Sequence, residues 1–289
     1  MPELAEIETV HQRLKRHFLG KNIAEVGVDN NDRYLFAFAK SLDVKKALLG
    51  AKVTGTGRKG KYFWIELNRK PWPMLHLGMS GNWVFSDPRK KTAEQGGWGG
   101  VNLRLHKTKS GGPGSVPAFT RLYLRTKDGV EAALTDPRRF GRLWLTDDPW
   151  NHPRIKKLGF DPLIDFPPAV LLAERLKKRN KAIKAVLLDQ NLFAGIGNWL
   201  ADEILYQSRV SPHVKASSLS LAQVAEIHKQ TLTVVRKAVK VEADHEKFPQ
   251  SWIFHHRWGK VSGSKTDRGN ILHEVVGGRT TAWVPDWQK

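Results

Sequence analysis

Apolar residues recur at Ile7, Val10, Leu14 and Phe18, the three- and four-residue spacing of a helix with one buried face, which predicts a helix over 3–18. The period then shortens. Apolar runs at 23–28, 51–57, 62–67, 74–77, 83–85, 101–105, 120–125, 131–134 and 143–145 alternate with Gly, Asn, Asp and Pro clusters, the pattern of a β-sandwich or barrel. Within it, 95–116 contains GGWGG and SGGPG and is expected to form a long surface loop. A Pro-punctuated passage over 151–168 leads to helical spacing at 169–178, 181–188, 199–208 and 221–241, and Ser220 with Gln223 is the capping-box start of the last of these helices. From Phe248 strands are expected again, at 252–254 and on either side of Gly277-Gly278, whose φ freedom suits a tight hairpin tip. The expected domains are 1–150, a linker over 151–168, a helical domain over 169–245 and a C-terminal β-appendage over 246–289 that is too short for a core of its own.

Charge narrows the function. The 289 residues hold 48 Lys plus Arg against 28 Asp plus Glu, a net +20 that asks for a polyanionic partner, nucleic acid or an anionic membrane surface. With 40% hydrophobic residues, 11 Trp and 12 Phe, that charge belongs to a folded body. No apolar run reaches the ~18 residues that span a bilayer, and the first residues do not read as a secretory signal, so an intracellular protein without a membrane partner is expected. Cysteine is absent, which removes disulfides, thiolate nucleophiles and sulfur-ligated zinc; no metal and no cofactor are expected.

Several segments could do chemistry. Pro2 follows the initiator, and removal of Met1 would expose a secondary amine. At the reference pKa of an α-amine roughly a tenth is unprotonated at pH 7, against roughly 0.04% of a lysine, so the terminal amine is the readier nucleophile toward an aldehydic sugar carbon. Glu3 and Glu6, three apart on the first helical turn, would stand beside it for proton transfer, although acidic residues also simply favour helix N-termini. Lys61 enters an aromatic strand from a basic, Gly-containing turn and suits a phosphate or a proton relay as well as plain solvation. Arg138 and Phe140, two apart, would point to one side of an extended chain, where an arginine can bond an orphaned base while a ring wedges into the stack; an ordinary basic turn reads the same. Asn198 follows Gly195-Ile196-Gly197, where it could cap a helix whose first N–H groups bind phosphate, and Arg279 would stand at the hairpin tip.

Taken in order, PELAEIET, RKGKYF, HLGMSG, DPRRFG, LGFDPL, KAIKAVLLDQ, GIGNWLADEIL and GGRTTA make the chain resemble the formamidopyrimidine-DNA glycosylase and endonuclease VIII family of DNA repair enzymes over nearly its whole length. The resemblance implies an α+β multidomain fold: an N-terminal helix plus two-layered β-sandwich, a helix–two-turns–helix domain and a C-terminal β-hairpin finger, with damaged double-stranded DNA held between them by a monomer. It implies excision of an oxidised base followed by β- and δ-elimination, with Pro2 as Schiff-base nucleophile, Glu3 as general acid/base, Glu6 in support, Lys61 in β-elimination and phosphate contact, and Arg279 in δ-elimination. Asn198 and Arg179 match DNA-contacting positions, with Lys184 as a neighbour, and Met79, Arg138 and Phe140 match the trio that fills the gap left by an everted nucleotide.

Three departures bear on this. The family's finger usually holds zinc with four cysteines, so this chain is similar to the zincless-finger branch known from plants and fungi, in which packing of Trp252, Phe254, Trp283 and Trp287 would replace the metal. The span 241–248 is too short for the long loop that closes over 8-oxoguanine in many bacterial relatives. The family's DNA-contacting histidine has no match in WGGVNLRL, and Ala5 replaces a common proline. Competing readings are a catalytically silent nucleic-acid binder, which has no need of Pro2, Glu3, Lys61 and Arg279 together, and a membrane-surface protein, which would need a basic helix with an exposed apolar face.

Overall fold

The computed structural model describes residues 2–87, 105–106, 116–258 and 263–289. Met1, the stretch WGGVNLRL except its last residue, and nearly all of the expected 95–116 loop and 101–105 strand lie outside the described residues. The chain divides into two units, Met1–Lys156 with Glu242–His245, and Lys157–Val241 with Glu246–Lys289.

In the first unit α1 (Leu4–Phe18) buries Ile7, Val10, Leu14 and Phe18, the stripe read from the sequence. The strands are β1 (Ile23–Val28), β2 (Val53–Lys59), β3 (Tyr62–Leu67), β4 (Trp72–His76), β5 (Asn82–Ser86), the short pair β6 (Leu105–His106) and β7 (Val116–Pro117), β8 (Thr120–Thr126), β9 (Glu131–Thr135) and β10 (Arg142–Thr146). Eight of them form two antiparallel sheets ordered β1-β8-β9-β5 and β10-β4-β3-β2. Alternation puts Val26, Leu122, Leu124, Leu134, Trp83 and Phe85 of one sheet against Phe63, Ile65, Leu75 and Leu143 of the other, and α1 packs on β2, β3 and β5 beside this core. Helix α2 (Ser41–Leu48) was not expected; it is a short segment with only Val44, Ala47 and Leu48 buried, too few for a periodic signal. A one-turn helix, α3 (Pro153–Lys156), ends the unit.

The second unit contains α4 (Ala169–Lys177), α5 (Ile183–Leu187), α6 (Asn198–Ser208) and α7 (Leu221–Lys240). Ser220 caps α7 through the expected capping box, accepting from Gln223 N–H at 3.2 Å. The strand expected at 252–254 is instead a 3₁₀ turn, Ile253–His255, because its three apolar side chains are all buried at once, which an alternating strand on one face cannot do. Two small hairpins follow, β11 (Lys265–Thr266) with β12 (Gly269–Asn270) and β13 (Leu272–Val276) with β14 (Arg279–Trp283). Gly277 and Gly278 turn the second with φ of 61° and 74°, and a Cβ on Gly277 would stand 2.7 Å from Ala185 Cβ, so only glycine lets the tip close on α5.

Aromatic packing accounts for only part of the appendix. Trp252 and Phe254 are buried in a ring cluster with Phe248 and Trp199, as expected. The hairpin's own core is aliphatic, Ile253, Ile271, Ala282 and Val284 around Tyr206, with Trp287 partly buried at its margin. Trp283 is only partly covered and donates its Nε1–H to Glu274 Oε1. Beneath lies an ionic centre: the Asp202 carboxylate binds Lys184 Nζ through Oδ1 and Arg257 Nη2 at 2.6 Å through Oδ2, all three groups being buried. Ala282 N–H of β14 points to the same Oδ2 at 3.4 Å. Next to it, the fully buried Glu203 accepts from Phe254 N–H at 2.9 Å and Gln207 Nε2 at 2.7 Å, and burial pushes its carboxyl up to about 8.

Removing one member of a buried ionic cluster leaves an uncompensated charge, so Asp202→Asn should lower unfolding free energy by about 3–5 kcal/mol, measured by denaturant titration. Glu203 keeps its proton in the folded state while the unfolded chain releases it above its usual 4.5. Its contribution to stability therefore falls as pH rises from about 4.5 to about 8. Glu203→Gln should remove that slope from the pH dependence of Tm, and an unchanged slope would assign the dependence to another group.

Candidate active site

The first turn of α1 is closed by its own carboxylates. Glu3 is the N-cap, its N–H donates to Glu6 Oε2 at 3.0 Å, and the two side chains complete a capping box. Pro2, Glu3 and Glu6 are all buried there, Glu3 and Glu6 at 2% and 5% exposure, so the two acids are not the solvated side chains of an ordinary helix end. His245 Nε2 lies 3.5 Å from Glu6 Oε1. His245 sits on the segment 242–245, whose first two residues, Glu242 and Ala243, have φ of 54° and 53°. That turn aims Glu242 at Arg13 Nη2, 2.7 Å, and Arg16 Nη2, 2.9 Å, on the same helix.

Lys61 occupies the expected turn, the two residues Gly60-Lys61 between β2 and β3. The turn is fastened to α1: Arg58 Nε donates to Glu8 Oε2 at 2.6 Å while Nη1 reaches Gly60 O at 3.2 Å. Burial opposes the charge on Glu8, but His11 and the Arg58 guanidinium hold its carboxyl down at about 2. His76 lies beside Lys61; burial first, then the positive charges of Lys61, Arg154 and Arg142, lower its imidazole to about 4. It is neutral at pH 7, consistent with Nδ1 accepting Gly78 N–H at 3.0 Å.

Met79, Arg138 and Phe140 come from two loops that one carboxylate ties together. Asp136, 2% exposed, accepts Ser80 Oγ at 2.6 Å through Oδ1 and Gly141 N–H at 2.7 Å through Oδ2. Gly78 has φ of 64°, and a Cβ there would meet the Phe140 carbonyl at 2.4 Å, so the two loops pack backbone against backbone. Met79 and Phe140 are 40% and 43% exposed, unusual for such side chains, and the Arg138 guanidinium lies 4.9 Å from the Phe140 ring centroid. The two do share a side, but by another route than an extended chain: Arg139 between them has φ of 57°, a turn.

In the second unit Gly197, not Asn198, is the N-cap of α6, and Asn198 is its first residue. Its Nδ2 donates to Thr280 O at 2.8 Å, next to Arg279, and its Oδ1 is buried without a partner. Gln190 shapes the approach, accepting Gly195 N–H at 3.0 Å and donating to Ile196 O at 2.7 Å. Arg279 and Arg179 are exposed. Lys184 is corrected: with 0% of its surface exposed and its ammonium on Asp202 and on Asn198 O, 3.0 Å away, it is a core cation and not a DNA contact. Sequence reasoning gave no role to Asp136, Gln190 or Asp202; for Asp136 the Asp-Pro step after an apolar strand was a turn-forming signal. Among the described residues no group of three or more His, Cys, Asp or Glu side chains could hold a metal ion, and no helix is long and apolar enough to cross a membrane.

This arrangement matches known proteins along its length. Residues 1–143 match the formamidopyrimidine-DNA glycosylase N-terminal domain, and 158–250 match the formamidopyrimidine-DNA glycosylase H2TH domain. The formamidopyrimidine-DNA glycosylase of Arabidopsis thaliana is 35% identical over 291 residues, covering 100% of this chain and 71% of the relative. Among solved structures, the complex of Lactococcus lactis Fpg with DNA containing an abasic site superposes with a TM-score of 0.76 at 25% identity over 99% of both chains. A complex of a Lactococcus lactis Fpg mutant with DNA containing Fapy-dG gives 0.77 at 26% identity over 100% of both. With both domain descriptions matched in order and a relative this similar over the whole sequence, the chain belongs to the formamidopyrimidine-DNA glycosylase family.

Proposed function

We propose that this chain is a bifunctional DNA glycosylase and AP lyase of base excision repair, acting as a monomer on oxidised or ring-opened purines in double-stranded DNA, wherever the cell keeps its DNA. The observation that carries the reading is the first turn of α1, where Pro2 directly precedes two buried carboxylates, Glu3 and Glu6, that a capping box and His245 hold in place. Kinship with enzymes named for this activity, and with structures bound to abasic and Fapy-dG DNA, supports it.

Removal of the initiator residue turns the Pro2 nitrogen into a secondary amine. Its lone pair attacks C1′ of the damaged nucleotide, the bond from C1′ to the base breaks, and the amine loses its proton. Glu3 moves protons at this centre, including the one that the sugar ring oxygen takes up as C1′–O4′ opens to give the iminium. The iminium acidifies the neighbouring C2′–H; loss of that proton expels the 3′ phosphate, assisted by Lys61, and a second elimination, assisted by Arg279, expels the 5′ phosphate. Glu6 supports Glu3, Asn198 and Arg179 hold backbone phosphates, and Met79, Arg138 and Phe140 enter the space of the extruded nucleotide. The short 241–248 segment supports poor action on 8-oxoguanine and better action on ring-opened purines, hydantoins and abasic sites.

Borohydride reduction of the protein with abasic DNA should trap a covalent adduct through Pro2. Pro2→Gly, which replaces the secondary amine by a primary one, should lose most of the covalent trapping while leaving DNA binding in place; trapping at the wild-type rate would move the nucleophile to Lys61. On a panel of lesion-bearing duplexes the wild-type protein should cleave ring-opened purines faster than 8-oxoguanine, and equal rates would overturn the argument from segment length.

A further inference from the structure

The outer face of the sheet β10-β4-β3-β2 carries groups that the proposed chemistry does not use. Register sets Arg142 opposite His76 and His76 opposite Tyr62; two residues along, Trp144 faces Met74 and Met74 faces Trp64. Directly opposed residues share a face, and the alternate positions Leu143, Leu75 and Phe63 are in the core, so these rows are the outer ones. The rings make a run across them: Tyr62 lies 4.9 Å from His76 and 5.8 Å from Trp144, and Phe38 stacks on Trp144 at 5.2 Å.

Two guanidinium groups lie on this run. Arg154 stands 4.8 Å from the Trp144 ring and 5.3 Å from Phe38, and Arg142 stands 5.7 Å from Tyr34. Neither pairs with a carboxylate among the described residues; Arg142 is steadied by carbonyls, its Nη1 donating to Gly141 O at 2.7 Å and Arg139 O at 3.2 Å. The loop that presents the rings is fixed, since Asp32 Oδ1 accepts the N–H groups of Tyr34 and Leu35 at 3.0 Å each and Leu35 O accepts Leu143 N–H at 3.0 Å. Tyr34 and Phe38 nonetheless remain 56% and 52% exposed. A guanidinium held against a ring has its hydrogen-bonding capacity unspent on the ring, and it meets a phosphate with little rotamer freedom left to lose. The lowered His76 imidazole reports the same field: every charge acting on it, from Lys61, Arg154 and Arg142, is positive.

We propose that this face is a second DNA-contacting surface, on which Arg142 and Arg154 each take a backbone phosphate outside the lesion while Tyr34, Phe38 and Trp144 hold them in place. The inference rests on the reading of the chain as a DNA enzyme and extends its footprint beyond the Lys61 turn. A DNA backbone is the occupant that fits, because the two guanidinium groups have no carboxylate partner among the described residues, Arg142 lies on the strand row shared with His76 and Arg154 acts on the same imidazole, and the chain carries a net charge of +20.

The test uses the full chain and a duplex with an abasic-site analogue and long flanks, its binding followed against salt. Arg142→Gln and Arg154→Gln should each lower the log–log salt slope by about 0.9, the double variant by about 1.8, and Arg154→Lys should keep the wild-type slope. The borohydride-trapped yield at saturating protein should stay at the wild-type level. A double variant with the wild-type slope, whether or not its Tm falls, would overturn the proposal, as would tighter binding of the wild-type face to anionic phospholipid vesicles than to duplex DNA. Wild-type protein that shows these slopes but never traps would sink the Schiff-base reading and leave this surface standing.

Discussion

A single carboxylate, that of Asp202, compensates two buried cations, and the second unit is organised around it. Lys184 reaches it from α5, Arg257 from the segment after the 3₁₀ turn, and Ala282 N–H from β14, so four elements meet on one side chain. Such a cluster is tolerable in a dry interior only because each charge is answered at short range. In a hairpin without thiolates, this ionic centre and the ring cluster around Phe248 supply the anchoring that a few aliphatic residues could not. The position of β14 then fixes Thr280, whose carbonyl holds the Asn198 amide, and sets Arg279 at the start of the strand.

Asp136 does comparable work in the first unit. By accepting from Ser80 and Gly141 it makes the Met79 loop and the Arg138–Phe140 turn one piece, with two apolar side chains standing out from it. A wedge entering a base stack has to offset unstacking, and one that is already rigid adds little ordering entropy to that cost. The same economy holds on the outer sheet face, where rings and carbonyls immobilise Arg154 and Arg142 before any phosphate arrives.

Much of this was legible along the chain. Helix α1, the alternating strands, the capping box at Ser220 and the Gly277-Gly278 tip follow from local rules, and the structure repeats them nearly residue for residue. The reading failed where a side chain's partner lies far away in sequence. Lys184 looks like any surface lysine in a basic stretch, and only the fold brings Asp202, 18 residues on, to its ammonium, and Arg257, 55 residues beyond Asp202, to the same carboxylate. The 252–254 run has strand composition, yet all three side chains are drawn inward by Trp199, Phe248 and the hairpin core. Arg142 and Arg154 offered no motif, since their setting consists of rings from two segments far apart in sequence.

The left-handed pair Glu242-Ala243 has a consequence for how the molecule can change. Its tightness is what delivers Glu242 to Arg13 and Arg16 and His245 to Glu6. Any insertion that made room for a longer cover at this point would slacken that fastening and release two guanidinium groups from the opening helix. Chain length at this corner and the charge of positions 13 and 16 are thus bound together, and a descendant could not revise one without renegotiating the other.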